Sequence, residues 1–359
     1  MRKIIIVSTV GLIYDGITSV ITSYLEAINR DDLEIYVVAT IKSDPRIEEK
    51  ISNLGCHIVH LPSRRENTIQ YFLSLISYIK KNNIDVIHAH GNSATLSIEM
   101  IAGFLGGCKK RIAHSHNTKC DQVKVDKLLR PLFYLFYTDA LACGKEAGEW
   151  LFKNRPFYVL KNGRSIEKYA FSEKTREKIR NSYHISDELV LGHVGGFFEQ
   201  KNHQFLIQVY REILKIRPNT KLFLIGDGPL KKEIEEISSD LGDRVIFIGT
   251  TDKVSDYLQA MDGMIFPSLF EGFPLVVIEW QINGLPAVLS DSITKDCQIT
   301  ESVKFESLKQ DAAIWANNIL KLITTSDRKT NSAAATELVK KAGFDISDNA
   351  ENLRKIYLS

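Results

Sequence analysis

The sequence predicts an α/β protein built from two doubly wound domains, each a parallel sheet with helices on both faces. Three observations carry this. Short apolar runs such as Ile4-Ile5-Ile6-Val7 are bounded by turn residues, as strands buried on both faces are. Helix-length segments separate these runs, so strands and helices alternate. The chain has 359 residues, which at roughly 100–200 per domain gives room for two such sheets.

Taken in order, the first train has strands predicted at residues 3–8, 33–40, 57–61, 86–90, 111–115, 140–142 and 158–160. Helices are predicted over 17–28, 68–81 and 94–105. In the helix over 68–81, Ile69, Phe72, Leu73, Ile76 and Ile79 recur at helical spacing. The second train has strands at 189–194, 221–225, 245–248, 263–266 and 287–289, with helices over 205–216, 230–241 and 275–283. The turn signal Lys161-Asn162-Gly163, ahead of a polar stretch over 172–181, marks the boundary. The expected domains are therefore 1–163 and 164–343, and residues 344–359 form a last helical segment that crosses back onto the first domain. The architecture repeats but the sequence does not. Ligands of such sheets bind at the carboxyl ends of the strands, and two facing sheets would make an interdomain cleft for substrate.

Bulk properties exclude several function classes. Apolar residues make up 44% and charged residues 25%, as in an ordinary soluble globular protein. A net charge of only +2 gives no global field for nucleic acid, and no nucleic-acid partner is expected. Arg64-Arg65, Lys80-Lys81 and Lys109-Lys110-Arg111 each read as a solvated face, but together they favour an anionic membrane surface. Cys56, Cys108, Cys120, Cys143 and Cys297 are scattered and odd in number, which argues against a disulfide framework or a zinc site and fits a reducing cytoplasm. The apolar run after Met-Arg-Lys is soon broken by Ser8 and Thr9, so it reads as a first buried strand rather than a signal peptide. No run approaches the ~18 apolar residues that cross a bilayer.

The segment from Pro267 to Glu279 is the most telling. It sets Glu271, a glycine and a proline just before a helix, with Glu279 inside that helix. Pro274 suits the first helical position, because its missing N–H has no intrahelical partner to lose there. The N–H groups of Gly272, Phe273 and Leu275 then face outward at the positive end of the helix, a ready site for phosphate. The two carboxylates repel phosphate but accept hydrogen bonds from hydroxyls, such as a ribose diol or a sugar ring. Alternatively, the segment is an ordinary strand–turn–helix with solvated glutamates. Upstream, strand 189–194 runs into Gly195-Gly196, where a ligand can approach the backbone closely, and Lys201 follows with a point charge for phosphate. Strand 221–225 runs into a second tight loop, Gly226-Asp-Gly-Pro229.

These elements, in this order, resemble the nucleotide-sugar domain of glycosyltransferase family 4, retaining enzymes of the GT-B fold with two facing Rossmann-like domains. The matching residues are Asn162-Gly163, Val194-Gly195, Gln200-Lys201-Asn202-His203, Gly226-Asp227-Gly228-Pro229, Pro267-Ser268, the glutamates Glu271 and Glu279, and Gly284-Leu285-Pro286. Ser290-Asp-Ser-Ile-Thr-Lys resembles the subset that builds bacterial exopolysaccharide or capsule. The first half resembles the acceptor domain more loosely, through Asp15-Gly16-Ile17, His88-Ala-His90-Gly91 and Ala113-His114-Ser115-His116-Asn117.

The resemblance implies that Lys201 stabilises the departing diphosphate, that Glu271 holds hydroxyls of the donor sugar, and that Glu279 holds the ribose diol. It implies that Gly16, Gly195, Gly196, Gly226, Gly272, Phe273, Pro274 and Leu275 line the donor site and that His116 lies near the reacting sugar. It implies a nucleoside-diphosphate sugar as donor, with UDP expected, and a polyprenyl-diphosphate-linked or other glycan as acceptor. No metal and no further cofactor are expected, so His88, His90 and His114 read as strand residues rather than a metal cluster. The expected protein is cytoplasmic and touches the membrane through the segment over 124–137, with Lys127, Arg130, Leu132, Phe133, Tyr134, Phe136 and Tyr137; the same segment also reads as a helix packed into the first domain. Two departures stand out: Gly196 occupies the place of a usual arginine, and Arg164-Ser165 follows Asn162-Gly163 where the family has an aliphatic residue and aspartate. Arg164 is expected either to reach the cleft and partly replace the missing charge or to face solvent at a hinge. A non-catalytic partner of another transferase and a sugar-nucleotide 2-epimerase are the rival readings.

Overall fold

The structure is a computed structural model that describes residues 1–39, 43–120 and 122–359. The chain divides into two compact units, Met1–Gly163 with Asp345–Ser359, and Arg164–Phe344.

The first unit holds β1 (Arg2–Ser8), β2 (Leu33–Ala39), β3 (His57–His60), β4 (Val86–Gly91), β5 (Lys110–Ser115), β6 (Asp139–Ala142) and β7 (Tyr158–Val159). All neighbours pair in parallel, in the order β3-β2-β1-β4-β5-β6-β7. Ile4, Ile5, Ile6 and Val7 are all buried, as a strand covered on both faces requires. Strand order reverses between β1 and β4, so the crevice outside those strand ends is where a doubly wound sheet binds ligand. The strand expected over 33–40 ends at Ala39, and Thr40 lies outside the described residues.

The helix Thr68–Asn82 is rotated from the face its apolar spacing indicates: Phe72, Ile76 and Ile79 of that stripe pack on the core, whereas Ile69 and Leu73 do not. Tyr71, Leu75 and Ile79 point into the core, while Ile69 is 75% exposed and Leu73 is also exposed. Tyr71 fixes that rotation, because its hydroxyl donates to buried Glu99 at 3.0 Å, and Arg64 Nε pairs with the same carboxylate at 2.6 Å. The expected helix over 94–105 begins as a 3₁₀ turn, Ala94–Leu96, before Ser97–Gly106. The last helix, Ile346–Leu358, packs against helix Gly16–Ala27 and β1. Gly163 lies against its start: a Cβ there would stand 2.6 Å from the Ile346 Cα, so the turn admits only glycine.

The second unit holds β8 (Leu189–Val194), β9 (Thr220–Ile225), β10 (Val245–Gly249), β11 (Gly263–Phe266), β12 (Ala287–Ser290) and β13 (Val303–Glu306), in the parallel order β10-β9-β8-β11-β12-β13. Its switch point lies between β8 and β11. The polar stretch over 172–181 is a helix, Glu173–Ser182, because the Ser172 side chain caps its N-terminus and two arginines dock it: Arg176 and Arg180 pair with Asp262 and donate to the Ala260 carbonyl.

Candidate active site

The carboxyl end of β8 is held open by interlocked glycine loops. The Gly195 N–H donates to the Ile225 carbonyl at the end of β9, and the Phe197 N–H donates to the Asp227 carbonyl. Gly226 has φ +142°, and a Cβ on it would lie 2.1 Å from the Gly195 oxygen, so these two loops touch backbone to backbone. A Cβ on Gly196 would stand 2.7 Å from the exposed ring of Phe198. The place of the usual arginine side chain is thus covered by the Phe198 ring.

Beyond the glycines, the turn Glu199–Lys201 carries Lys201 across to the loop after β11. Lys201 Nζ donates to Glu271 Oε1 at 2.6 Å and lies 4.8 Å from the centre of the Phe266 ring. Gln200, which sequence reasoning quoted without a role, bonds the same loop at three points. Its Nε2 donates to the Phe270 carbonyl at 2.9 Å and to Glu271 Oε2 at 3.1 Å, and its own carbonyl accepts from the Leu269 N–H at 2.8 Å. Asn202 Nδ2 adds a bond to the Pro267 carbonyl at 3.2 Å. The cation and the carboxylate therefore meet at the switch point of the second sheet, on loops from the two strands that define it.

Beneath this pair lie two buried histidines. His193 Nδ1 bonds the Ile265 carbonyl at 2.9 Å, so that nitrogen carries the proton. Burial drives His193 well below the usual histidine value, and burial with the nearby Lys201 charge brings His203 to about 4. Both rings are neutral next to the lysine cation.

The helix after this loop is Leu275–Ile282, and Pro274 is its N-cap with extended backbone rather than its first helical residue. The N–H groups of Gly272, Phe273 and Leu275 have no backbone partner among the described residues. Gly272 is exposed, and the Phe273 ring stacks on Phe344 with centroids 5.2 Å apart. One turn further, Glu279 faces inward and pairs with Arg164, Nε to Oε1 at 2.6 Å, the side chains being only 6% and 4% exposed. Arg164 is thus not a solvent-facing hinge residue: it is buried, with its guanidinium paired to the second glutamate.

In the first unit, Gly16 opens the helix Gly16–Ala27, exposed and with open space where a Cβ would stand. Asp15 caps that helix by accepting from the Thr18 N–H at 2.8 Å, and burial raises its carboxyl above the ordinary value. His116 follows β5 and belongs to a cluster with His88, His90 and His114, because positions two apart on neighbouring parallel strands share a face. Tyr357 Oη meets His88 Nδ1 at 2.7 Å, His88 Nε2 meets His114 Nδ1 at 3.1 Å, and His90 Nδ1 meets His116 Nε2 at 2.8 Å. Burial pushes His116 down to about 3 and the other three well below the usual range. The ligand atoms of His88, His90 and His114 lie within 4.8 Å of one another, a donor set suited to a metal such as zinc, but in this arrangement His88 and His114 are bonded to each other.

The segment expected to meet lipid through aromatic residues is the helix Val123–Phe136. Phe133 is fully buried, and Tyr134, Phe136 and Tyr137 pack against the core, since only there can rings stack on Phe152 and one another. Arg130 is turned inward onto Asp126 at 2.8 Å. The outward face consists instead of Leu128 and Leu135, 76% and 72% exposed, with Pro131 and Leu132, flanked by exposed Lys124 and Lys127.

Residues 14–163 match the family profile described as Glycosyltransferase Family 4, and residues 188–325 match that described as Glycosyl transferases group 1. The chain is 30% identical to the glycosyltransferase EpsF of Bacillus subtilis over 337 residues, 89% of this chain and 87% of that protein. It is 26% identical to the capsular polysaccharide biosynthesis glycosyltransferase CapH of Staphylococcus aureus, covering 93% of each. It is 25% identical to the UDP-Gal:alpha-D-GlcNAc-diphosphoundecaprenol alpha-1,3-galactosyltransferase of Escherichia coli, over 80% of this chain and 78% of that one. Among solved structures, Anabaena HepE in complex with UDP and glucose superposes with a TM-score of 0.78 at 17% identity, covering 99% of both chains, a likeness of fold. Identity to EpsF across nearly the whole length, with both halves matched by family profiles, makes this chain a GT-B glycosyltransferase and a member of glycosyltransferase family 4.

Proposed function

We propose that this glycosyltransferase moves a sugar, with retention of configuration and without a metal, from a UDP-sugar to a polyprenyl-diphosphate-linked sugar or other glycan in cell-surface polysaccharide synthesis. The observation that carries this reading is the Lys201–Glu271 pair at the switch point of the second sheet, beside the N–H groups of Gly272, Phe273 and Leu275, which have no backbone partner among the described residues. A diphosphate outcompetes one carboxylate for the Lys201 ammonium, because it brings more charge and more acceptors. The freed Glu271 then accepts hydrogen bonds from donor-sugar hydroxyls. Lys201 and the backbone N–H groups stabilise charge that grows on the leaving diphosphate, the largest single contribution such sites make.

In the proposed transfer the bond from the anomeric carbon to the phosphate oxygen breaks and the acceptor oxygen bonds that carbon on the same face. The acceptor's proton passes to the leaving phosphate oxygen. The second unit binds the donor and the first unit serves the acceptor; Gly16, at the head of the first unit's first helix, is assigned to the donor's phosphates, and His116, just after β5, to the reacting sugar. The names of CapH and of the E. coli galactosyltransferase support the acceptor class. The exposed leucines and flanking lysines of helix Val123–Phe136 support contact with an anionic bilayer, where such an acceptor resides. No helix among the described residues is long and apolar enough to cross a membrane.

Calorimetric titration with UDP, GDP and ADP tests the donor site, with Lys201→Ala and Glu271→Gln as controls. Selective binding of UDP that Lys201→Ala weakens is expected. No binding by the wild type, or full binding and full transfer in both variants, would overturn the assignment. Product release from UDP-sugar only when acceptor is present separates transfer from epimerisation.

A further inference from the structure

Among the described residues, Arg164 is the one partner bonded to the Glu279 carboxylate, through Oε1, which leaves Oε2 bonded to no protein group. Both side chains are almost wholly covered. The Arg164 backbone is fixed as well: its N–H donates to the Phe344 carbonyl at 2.8 Å, and the Phe344 ring stacks on Phe273. Guanidinium, carboxylate and the chain just before the helix N-terminus thus form one braced frame inside the second unit.

The two glutamates of the site contrast. Glu271 is paired to the flexible amine of Lys201, which a phosphate ligand can draw away. Glu279 is paired to a planar guanidinium that is rigid, always charged and already buried. A buried carboxylate with no cation would be costly and would have no fixed rotamer. With one oxygen held and the other open, a carboxylate is set to accept hydrogen bonds from two adjacent hydroxyls.

We propose that Arg164 is a positioning residue for nucleoside recognition: it holds the Glu279 carboxylate so that its open oxygen receives the vicinal diol of the donor's ribose. This rests on the donor-site reading above. It assigns to Arg164 a part in specificity for ribonucleotides, not a contact with the diphosphate.

The test is a titration cycle on the full chain with UDP, 2′,3′-dideoxy-UDP and inorganic pyrophosphate, for the wild type, Glu279→Gln, Arg164→Met and Arg164→Lys. The wild type is expected to prefer UDP over the dideoxy compound by about tenfold or more, since one charge-assisted hydrogen bond alone accounts for about tenfold. In Arg164→Met and Glu279→Gln the ratio is expected to fall towards one, with pyrophosphate affinity unchanged. Arg164→Lys is expected to recover part of the ratio, and it decides the matter if thermal melting shows that Arg164→Met does not fold. An undiminished ratio in the arginine variants, or equal losses for all three ligands, would overturn the proposal while leaving the donor site intact. A wild type that binds no nucleoside diphosphate would overturn the donor site itself, and the proposal with it.

Discussion

Two glycines decide how closely a ligand can approach the end of β8. At Gly226 the backbone has φ +142° and the Gly195 oxygen stands 2.1 Å from where a Cβ would be. A side chain there meets both an unfavourable conformation, which costs about 1–3 kcal/mol, and a backbone that must retreat. Gly226→Ala is therefore expected to lower both the melting temperature and nucleotide affinity, and melting with titration checks it; a variant unchanged in both would show that the loops can separate without consequence. Gly196 is the converse case. Its Cβ direction meets first the ring of Phe198, an exposed side chain free to turn aside, and then the Asp227 backbone oxygen at 3.3 Å. Gly196→Arg is expected to add a charge-assisted contact and to raise nucleoside-diphosphate affinity about tenfold. Affinity unchanged in both Gly196→Arg and its double variant with Phe198→Ala would mean that this position does not face the diphosphate.

Helices of the second unit converge on one C-terminal end. The helix Val254–Ala260 exposes its last carbonyls to Arg176, Arg180 and Arg328, and Asp262, just beyond it, pairs with the first two. Asp262 also accepts from the Val190 N–H at the start of β8. Removing this carboxylate leaves two largely covered guanidinium groups without their bonded counter-charge, so Asp262→Ala is expected to cost about 3–5 kcal/mol and to leave nucleotide affinity in the folded fraction intact; urea unfolding and titration together check this. The same contacts explain what the sequence hid. Strands β1 and β8 were legible because burial on both faces makes them continuously apolar. Strand β13 was not, because Val303-Lys304-Phe305-Glu306 alternates at a sheet edge. The glycine loops and the Lys201 and Glu271 positions were legible because local spacing encodes them. The Arg164–Glu279 pair spans 115 residues, and nothing local records which partner a buried arginine takes. Likewise the rotation that brings Tyr71 into the core and leaves Ile69 and Leu73 outside follows the bond from Tyr71 to its distant acceptor Glu99, which the helix's own apolar stripe does not record.

At the scale of the whole molecule, six histidines among the described residues are held neutral, four in the first unit and two in the second; five are closed to solvent and His116 is partly so. The main cause in each is burial, which disfavours the charged ring; neighbouring imidazoles add to it for His88, His90, His114 and His193, and Lys201 for His203. In an unfolded chain these side chains titrate near their ordinary value of about 6.5. Below that value the unfolded state binds more protons than the native state, so stability rises with pH across this window and falls as pH drops. The decline continues to about 3 for His116 and about 4 for His203. Each histidine contributes a slope of up to about 1.4 kcal/mol per pH unit, and above neutrality the contribution is flat. The first unit, with four such rings, is expected to lose stability more steeply than the second. Tryptophan fluorescence separates the two, because Trp150 lies in the first unit and Trp280 and Trp315 in the second. In urea titrations from pH 7.5 to 5, run with the wild type and Trp150→Phe, the Trp150 midpoint is expected to move down further and sooner. Ordinary carboxyl groups titrate at about 4, below this range, and Asp15, raised by burial, would stabilise the native state as pH falls, so a downward shift reports the histidines. A Trp150 midpoint that holds steady or climbs between pH 6.5 and 5 would mean that the native cluster takes up protons as readily as the unfolded chain, and that its rings are not held neutral by burial.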